Sequence, residues 1–113
     1  MKIIKANVTL QELREMADAI FGNLVKAVVD VDREICAVDA ELHSDLEALL
    51  LEDGSKQKDL WGINIYPEMQ GDDFVEFDSM INMRPSQGNR SRSVENDQMR
   101  RKILAVVAKR VGR

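Results

Sequence analysis

The sequence contains a single cysteine, Cys36, which excludes an internal disulfide framework and is typical of a protein from a reducing compartment. No apolar run approaches the roughly 18 residues needed to cross a bilayer. The first ten residues also lack the long apolar stretch of a secretory signal. Aromatic residues make up only 4% of the chain, so aliphatic side chains must supply most of the core. These shortages predict a cytoplasmic protein without a membrane segment.

The composition is that of one folded domain. The chain has 113 residues, of which 44% are hydrophobic and 32% are charged. This apolar content is enough to offset the entropy of the chain, and the length allows one core but not two. A single domain spanning residues 1–113 is therefore expected.

Charge is distributed unevenly along the chain. The net charge is −4, but residues 84–113 contain nine lysines and arginines against two acidic residues. The rest of the chain has eighteen acidic and seven basic residues. An acidic body with a basic C-terminal face could attract phosphate, RNA or an acidic protein surface. The alternative interpretation is an ordinary solvated helix face.

The N-terminal region predicts a strand followed by a helix. Residues 2–5 have the composition of a short strand. Thr9 and Glu12 form a T-x-x-E capping box, the local pattern that starts many helices. Apolar residues then recur at helical spacing until Gly22, so we expect a helix over residues 9–21.

A hairpin and a second helix are predicted next. Alternating apolar residues at 24–31 and a β-branched run at 35–40 indicate two half-buried strands joined by a polar turn. Ser44 and Glu47 repeat the capping-box spacing, and leucines follow at helical spacing. The helix is expected to end before Gly54.

The C-terminal half predicts a second hairpin and a last helix. Residues 61–66 alternate like a strand, residues 67–72 resemble a loop, and residues 74–84 form a longer alternating run. Apolar residues at helical spacing indicate a helix over about residues 94–111. The complete order is β-α-β-β-α-β-β-α. This order predicts an α+β fold with an antiparallel or mixed sheet and helices mainly on one face.

Residues 84–93, RPSQGNRSRS, form the segment with the clearest binding chemistry, and we call it the arginine loop. Pro85 and Gly88 predict a defined turn, and three arginines precede the N-terminus of the last helix. Cationic side chains beside free helix N–H groups favour an anion, with phosphate as the obvious ligand. The alternative is a surface loop whose arginines pair with the acidic body. The residues expected to bind a ligand are Arg84, Ser86, Gln87, Asn89, Arg90 and Arg92.

Two residues elsewhere are candidates for catalysis. His43 is the only histidine and lies near two carboxylates, and its ring could act as a general base. Asp78 could act as a base or a magnesium ligand if the arginine loop folds over it. For both residues the alternative is an ordinary structural or solvent-facing role. No metal-ligand spacing is present, so no residue is assigned as a metal ligand and no cofactor is inferred.

Two long blocks carry a resemblance that covers nearly the whole chain. The strings LWGINIYP and INMRPSQGNRSR lie within ELHSDLEALLLEDGSKQKDLWGINIYP and EFDSMINMRPSQGNRSR. These blocks resemble those of a small prokaryotic family of uncharacterised proteins, a domain of unknown function. The resemblance implies a bacterial or archaeal cytosolic protein and implies no activity, cofactor or site residue.

Three functional hypotheses follow from these observations. The first is a binding module for a nucleotide or RNA through the arginine loop. The second is a homodimeric or regulatory protein-interaction module, in which the basic C-terminal helix meets an acidic surface. The third is a small metal-assisted phosphoester hydrolase or nuclease using His43 or Asp78. The sequence leaves open whether the protein is an enzyme.

Overall fold

The computed structural model describes residues 1–112. Three helices, a five-stranded sheet and a two-stranded sheet make up the fold. The elements are β1 (Lys2–Ile4), β2 (Val8–Thr9), α1 (Leu10–Ala19), β3 (Val25–Asp30), β4 (Ile35–Val38), α2 (His43–Glu52), β5 (Leu60–Ile65), β6 (Val75–Glu76), α3 (Asp97–Arg110) and β7 (Val111–Gly112). The α+β class and the predicted order of the larger elements are confirmed.

The main sheet is antiparallel throughout, with the strand order β1-β4-β3-β5-β6. Its central strand, β3, pairs with β4 in a hairpin and with β5 along its whole length. The hairpin turn is held by Asp30, whose Oδ1 accepts hydrogen bonds from the backbone N–H groups of Asp32 and Arg33. The small sheet joins β2 to β7 in parallel and ties the two ends of the chain together.

Helices cover both faces of the main sheet. α1 and α3 pack on one face, against residues such as Val29 and Ile63. α2 packs on the opposite face, where Leu46 and Leu50 meet Val28. Two of the three helices therefore share a face, as expected. The strand β3 is buried on both sides because α2 covers the face that its sequence pattern assigned to solvent.

The helix starts show where local patterns hold and where packing overrides them. Thr9 caps α1 through the predicted box, with its Oγ1 accepting from the Glu12 N–H and the Glu12 carboxylate accepting from the Thr9 N–H. The box predicted for α2 does not form. α2 begins at His43, its N-cap is Leu42 with no side-chain cap, and Ser44 lies exposed inside the first turn.

The predicted strand over residues 74–84 is wrong beyond its first residues. Only Val75–Glu76 pairs with β5. Further along, the Asn82 side chain takes the place of a strand backbone: its Oδ1 accepts from the Gly62 N–H and its Nδ2 donates to the Gly62 carbonyl. Ser79 accepts from the Ile81 N–H and begins a short 3₁₀ turn. Polar side chains that bond to backbone compete with strand pairing, and here they end it.

The last helix is shorter than predicted. Asn96 is its N-cap, with Oδ1 accepting from the Met99 N–H, and Val94 is buried before the helix begins. Val111 leaves the helix to form β7. No helix within residues 1–112 is both long enough and apolar enough to span a membrane.

Candidate functional site

The arginine loop is a closed, ordered turn. Pro85–Gln87 form a 3₁₀ turn, and Gly88 follows with φ of 80°, a left-handed conformation that favours glycine. Arg84 and Asn89 then pair across the turn, with the Arg84 N–H donating to the Asn89 carbonyl at 2.8 Å and the Asn89 N–H donating back at 3.2 Å. The two residues at the mouth of the turn therefore fix its shape.

Asn89 holds the rest of the loop from inside. Its Nδ2 lies 2.7 Å from the carbonyl oxygens of Asn82 and Ser93 and 3.1 Å from that of Ser91. Its Oδ1 accepts from the Glu95 N–H at 2.9 Å. The side chain is buried and its polar atoms all have protein partners. In this structure Asn89 organises the loop.

Arg84 is engaged with the protein rather than open to solvent. Its guanidinium donates to the carbonyl of Gln57 at 2.6 Å and to that of Leu60, and it stacks on the Trp61 ring with 4.3 Å between Cζ and the ring centroid. Burial lowers the pKa of Arg84 below its ordinary value, but the guanidinium stays charged in proteins. Its donors fasten the loop to the start of β5.

The other two arginines of the loop differ from each other. Arg92 forms an ion pair with Asp78, with Nε 2.8 Å from Oδ1. The Arg90 side chain is exposed and makes no hydrogen bond or ion pair within residues 1–112. The backbone N–H groups of Arg90 and Ser91 both donate to the Glu95 carboxylate, at 2.9 and 2.8 Å. Hydrogen bonds from Ser91 and Arg90 hold the pKa of Glu95 below its usual range. An internal carboxylate thus fills the anion position that the loop amides create.

A cavity of about 440 Å³ lies between the arginine loop and the first turns of α3. Trp61 lines it from the sheet. The lining is otherwise polar, apart from Met99 and Gly88, and comprises Gln87 and Asn89 from the loop and Asn96, Gln98 and Lys102 from the start of α3. Two of the six predicted ligand residues, Gln87 and Asn89, therefore line one cavity. The other four, Arg84, Ser86, Arg90 and Arg92, do not line it.

Trp61 contributes an unusual polar group at this position. Its side chain is only 5% exposed, yet its Nε1–H has no hydrogen-bond partner within the described part of the chain. The Nε1 atom itself is covered by protein, so Trp61 borders the cavity without offering this donor to a ligand.

Most cations of the C-terminal region are used within the fold. Lys109 forms an ion pair with Glu34 at 2.8 Å. Arg110 donates to the backbone carbonyls of Glu34 and Ala6. Arg100 donates to the backbone carbonyl of Val94 and lies over the Phe77 ring. Within residues 1–112, three basic side chains of this region make no hydrogen bond or ion pair. They are Arg90, Arg101 and Lys102, and of these Lys102 lines the cavity. The predicted basic face is thus much smaller than the charge count indicated.

The catalytic candidates lie away from the cavity. His43 is buried on the α2 face of the sheet, where its Nε2 lies 2.8 Å from the Ile63 carbonyl oxygen and must donate to it. Burial lowers the pKa of His43, although the bond to Ile63 acts in the opposite direction. Asp78 is bound to Arg92. The cavity is on the α3 face, so the fold does not bring His43 to it.

Two further observations bear on the chemistry available. Cys36 is buried, and this raises the pKa of its thiol to about 12, so the reactive thiolate is not populated near neutral pH. Residues 1–112 contain no group of three or more His, Cys, Asp and Glu side chains placed to hold a metal ion.

Sequence reasoning missed Asn96, Gln98 and Lys102 as site residues. Gln98 and Lys102 are four residues apart, so they share one side of α3, and Asn96 occupies the capping position just before them. That spacing was readable from the sequence. The placement of Trp61 opposite them was not, because it depends on how α3 packs on the sheet.

Comparison with known proteins places the chain in a family. Neither a curated protein nor a solved structure shows a significant match. A family model described as "Protein of unknown function (DUF5674)" matches residues 2–110. The match covers almost the whole chain, as the resemblance of its sequence blocks indicated. The chain belongs to this family of proteins of unknown function.

Proposed function

We propose that this protein binds a small phosphate-bearing ligand, of the size of a nucleotide, in the cavity between the arginine loop and α3. The observation that carries the proposal is the cavity of about 440 Å³, whose lining from the arginine loop and the start of α3 is mostly polar. Ligand sites in proteins commonly enclose about 300–1,000 Å³ and present a few fixed polar groups, and the cavity meets both conditions.

The start of α3 supplies the chemistry for a phosphate. The Asn96 side chain caps the Met99 N–H, and the N–H groups of Asp97 and Gln98 make no hydrogen bond within residues 1–112. Free N–H groups and the helix dipole favour an anion at such a position. Lys102, one turn further along, adds a flexible positive charge.

Amide side chains supply the chemistry for the rest of the ligand. Gln87, Asn96 and Gln98 line the cavity. The Gln98 amide makes no hydrogen bond within residues 1–112, and the Asn96 amide uses only its oxygen, so together they offer donors and an acceptor that suit the edge of a base or a ribose hydroxyl. The Gln87 amide also holds the loop, since its Nε2 donates to the Lys58 carbonyl at 3.2 Å. A ligand would therefore meet a preformed wall.

The features of the site favour a mononucleotide over single-stranded RNA. Single-stranded RNA is usually bound by stacking its bases on exposed aromatic rings. Trp61 is covered by the Arg84 guanidinium, and the Tyr66 hydroxyl donates to Glu76 on the opposite face of the sheet. The site thus offers hydrogen bonds and charge but no open ring.

The proposal is tested by equilibrium titration with a nucleoside monophosphate, the matching nucleoside and inorganic phosphate at low salt. We expect saturable binding of the monophosphate, weakened by K102E. The matched control is R101E, which makes the same change in net charge from a helix position outside the cavity. Equal losses in the two variants, or equal binding of nucleoside and nucleotide, would overturn the proposal because affinity would then not depend on a phosphate held at Lys102.

A further inference from the structure

Helix α2 presents an open outer side on the face of the sheet opposite the candidate ligand cavity. Its inner side packs on the sheet through Leu46 and Leu50. On the outer side, Leu51 is 40% exposed near the end of the helix, and Ala48 is exposed about one turn before it. The part of α2 that meets solvent is therefore partly apolar.

Two exposed methionines stand beside α2. The 3₁₀ turn Met80–Asn82 contacts the helix, and Ile81 within it packs on the apolar cluster that also contains Leu46. Met80 precedes Ile81 and Met83 follows the turn, and their side chains are 63% and 44% exposed. Methionine side chains are flexible and polarisable, and they are common on protein-binding surfaces. The inward packing of Ile81 therefore leaves two adaptable apolar side chains in solvent next to α2.

The methionines and Leu51 border the same side of α2. Glu47 lies one turn before Leu51 on that side. Burial lowers the pKa of Arg84, and the nearby Glu47 carboxylate opposes this shift, so the two charged groups lie close to each other. Because Arg84 directly follows Met83, the side of α2 that carries Leu51 faces the methionines. We call the outer side of α2, together with Met80 and Met83, the α2 surface.

Acidic side chains border the apolar part of the α2 surface. Asp45 and Glu52 are exposed and lie two turns apart on one side of the helix, and Glu41 is exposed just before it. These three carboxylates make no ion pair within residues 1–112. Ala48 lies three residues after Asp45 and three before Leu51, so the acidic and apolar parts adjoin there. Residues 39–53 contain six acidic residues and no lysine or arginine, so the α2 surface attracts basic groups and repels anions.

We propose that the α2 surface docks a basic amphipathic helix of a partner protein. Exposed apolar patches with polar rims commonly mark protein-binding sites, and amphipathic helices bind them through their apolar face. Apolar side chains of the partner contact Leu51, Met80 and Met83, and its lysines or arginines pair with Asp45 and Glu52. The negative charge argues against a nucleic acid, and two copies of α2 face to face would repel each other. The α2 surface shares no residue with the ligand cavity, so this inference does not depend on the proposed function.

Titration of the full chain with a synthetic peptide tests this docking site. The probe is a peptide of about 18 residues, or five helical turns, made of leucine and lysine with the leucines on one face. We expect saturable binding in calorimetry, with amide shifts confined to residues 44–52 and 80–83 in a ¹H–¹⁵N spectrum. A peptide of the same composition without helical periodicity should bind roughly tenfold more weakly, because it cannot present an apolar and a basic face together.

Paired variants separate docking at the α2 surface from a general effect of mutation. M80Q should weaken binding roughly tenfold by removing an apolar contact, whereas M69Q, at an exposed methionine beside α1, should leave it unchanged. E52K should weaken binding roughly fivefold, and E15K, the same charge change on α1, should have little effect. All four positions are exposed, so these variants should fold, and circular dichroism checks that they do.

Three results would refute the proposal. The first is an absence of binding at millimolar peptide. The second is an equal loss of affinity in the two members of either pair, because binding would then not depend on the α2 surface. The third is a dimer of the protein alone that M80Q dissociates and M69Q does not, because the occupant of the α2 surface would then be a second copy of this chain.

Discussion

The buried amide of Asn89 provides the sharpest test of how the arginine loop is held. N89D changes one NH₂ group to an oxygen and leaves the size of the side chain almost unchanged. The Asp oxygen can still accept from the Glu95 N–H, but the two donors to the surrounding carbonyls are lost. In their place a carboxylate oxygen would stand 2.7 Å from the carbonyl oxygens of Asn82 and Ser93.

The size of the effect follows from these contacts. The substitution removes two buried hydrogen bonds and leaves the carbonyls of Asn82 and Ser93 without the Asn89 donor. Each unsatisfied buried group lowers the free energy of unfolding by about 1–3 kcal/mol. We expect N89D to lower the free energy of unfolding by about 3–5 kcal/mol, a large share of the total stability of a domain. At roughly 4 °C per kcal/mol for a domain of this size, Tm should fall by about 12–20 °C.

Chemical denaturation followed by circular dichroism measures this change. N96D is the matched control, because Asn96 is an exposed N-cap and aspartate caps a helix equally well. We expect N96D to stay within about 0.5 kcal/mol of the parent protein. If N89D were as stable as N96D, the amide of Asn89 would not be what organises the loop.

Three further predictions concern the rest of the fold. G62A should destabilise the protein by about 1–3 kcal/mol in denaturant titration, because a Cβ there would lie 2.5 Å from Ser79 Cβ. T9A should lower stability by about 1 kcal/mol by removing the capping box of α1, as measured by thermal unfolding. The folded pKa of His43 lies below its unfolded value of about 6.5, so the unfolded chain takes up the proton first. Stability should therefore fall as pH drops below that value, and H43Q should flatten this part of the pH profile; an unchanged profile would contradict it.

The sequence predicted the elements whose signals are local. The Thr9 box marks a helix start because all of its atoms lie within four residues. The alternation in β3, β4 and β5 is likewise a property of each strand, and these three strands form the centre of the sheet. Elements defined by short-range periodicity were therefore recovered with errors of only a few residues at their ends.

The errors arose where side chains of distant segments replace local structure. The alternating run after Val75 has the pattern of a strand, but Asn82 bonds to Gly62, twenty residues away, and the chain leaves the sheet. Helix α2 begins at His43 and buries Leu46 and Leu50. Ser44 therefore lies inside the helix and does not form the capping box that its spacing to Glu47 predicted. Long-range partners of this kind leave no periodic signal in a single sequence.

The sequence located the arginine loop beside the last helix, but not the contacts that its side chains make. The arginine loop does lie against the start of α3, and Gln87 and Asn89 line the cavity there. Arg84 and Arg92 have internal partners, a carbonyl and a carboxylate from other segments, that the sequence could not pair with them. Lys102 lines the cavity because of how α3 packs, which the sequence does not reveal. Residue type indicated the chemistry of the region, and tertiary contacts decided which side chains remain free for a ligand.

The central claim is that the cavity beside Trp61 binds a phosphate-bearing ligand. Trp61 is the only tryptophan, so its indole N–H gives a single resolved signal in a ¹H–¹⁵N spectrum of the labelled protein. Titration with a nucleoside monophosphate should shift this signal saturably together with the amides of residues 96–99, and K102E should weaken the response while R101E leaves it unchanged. An indole signal that stays in place while the amides of another surface move would contradict the account.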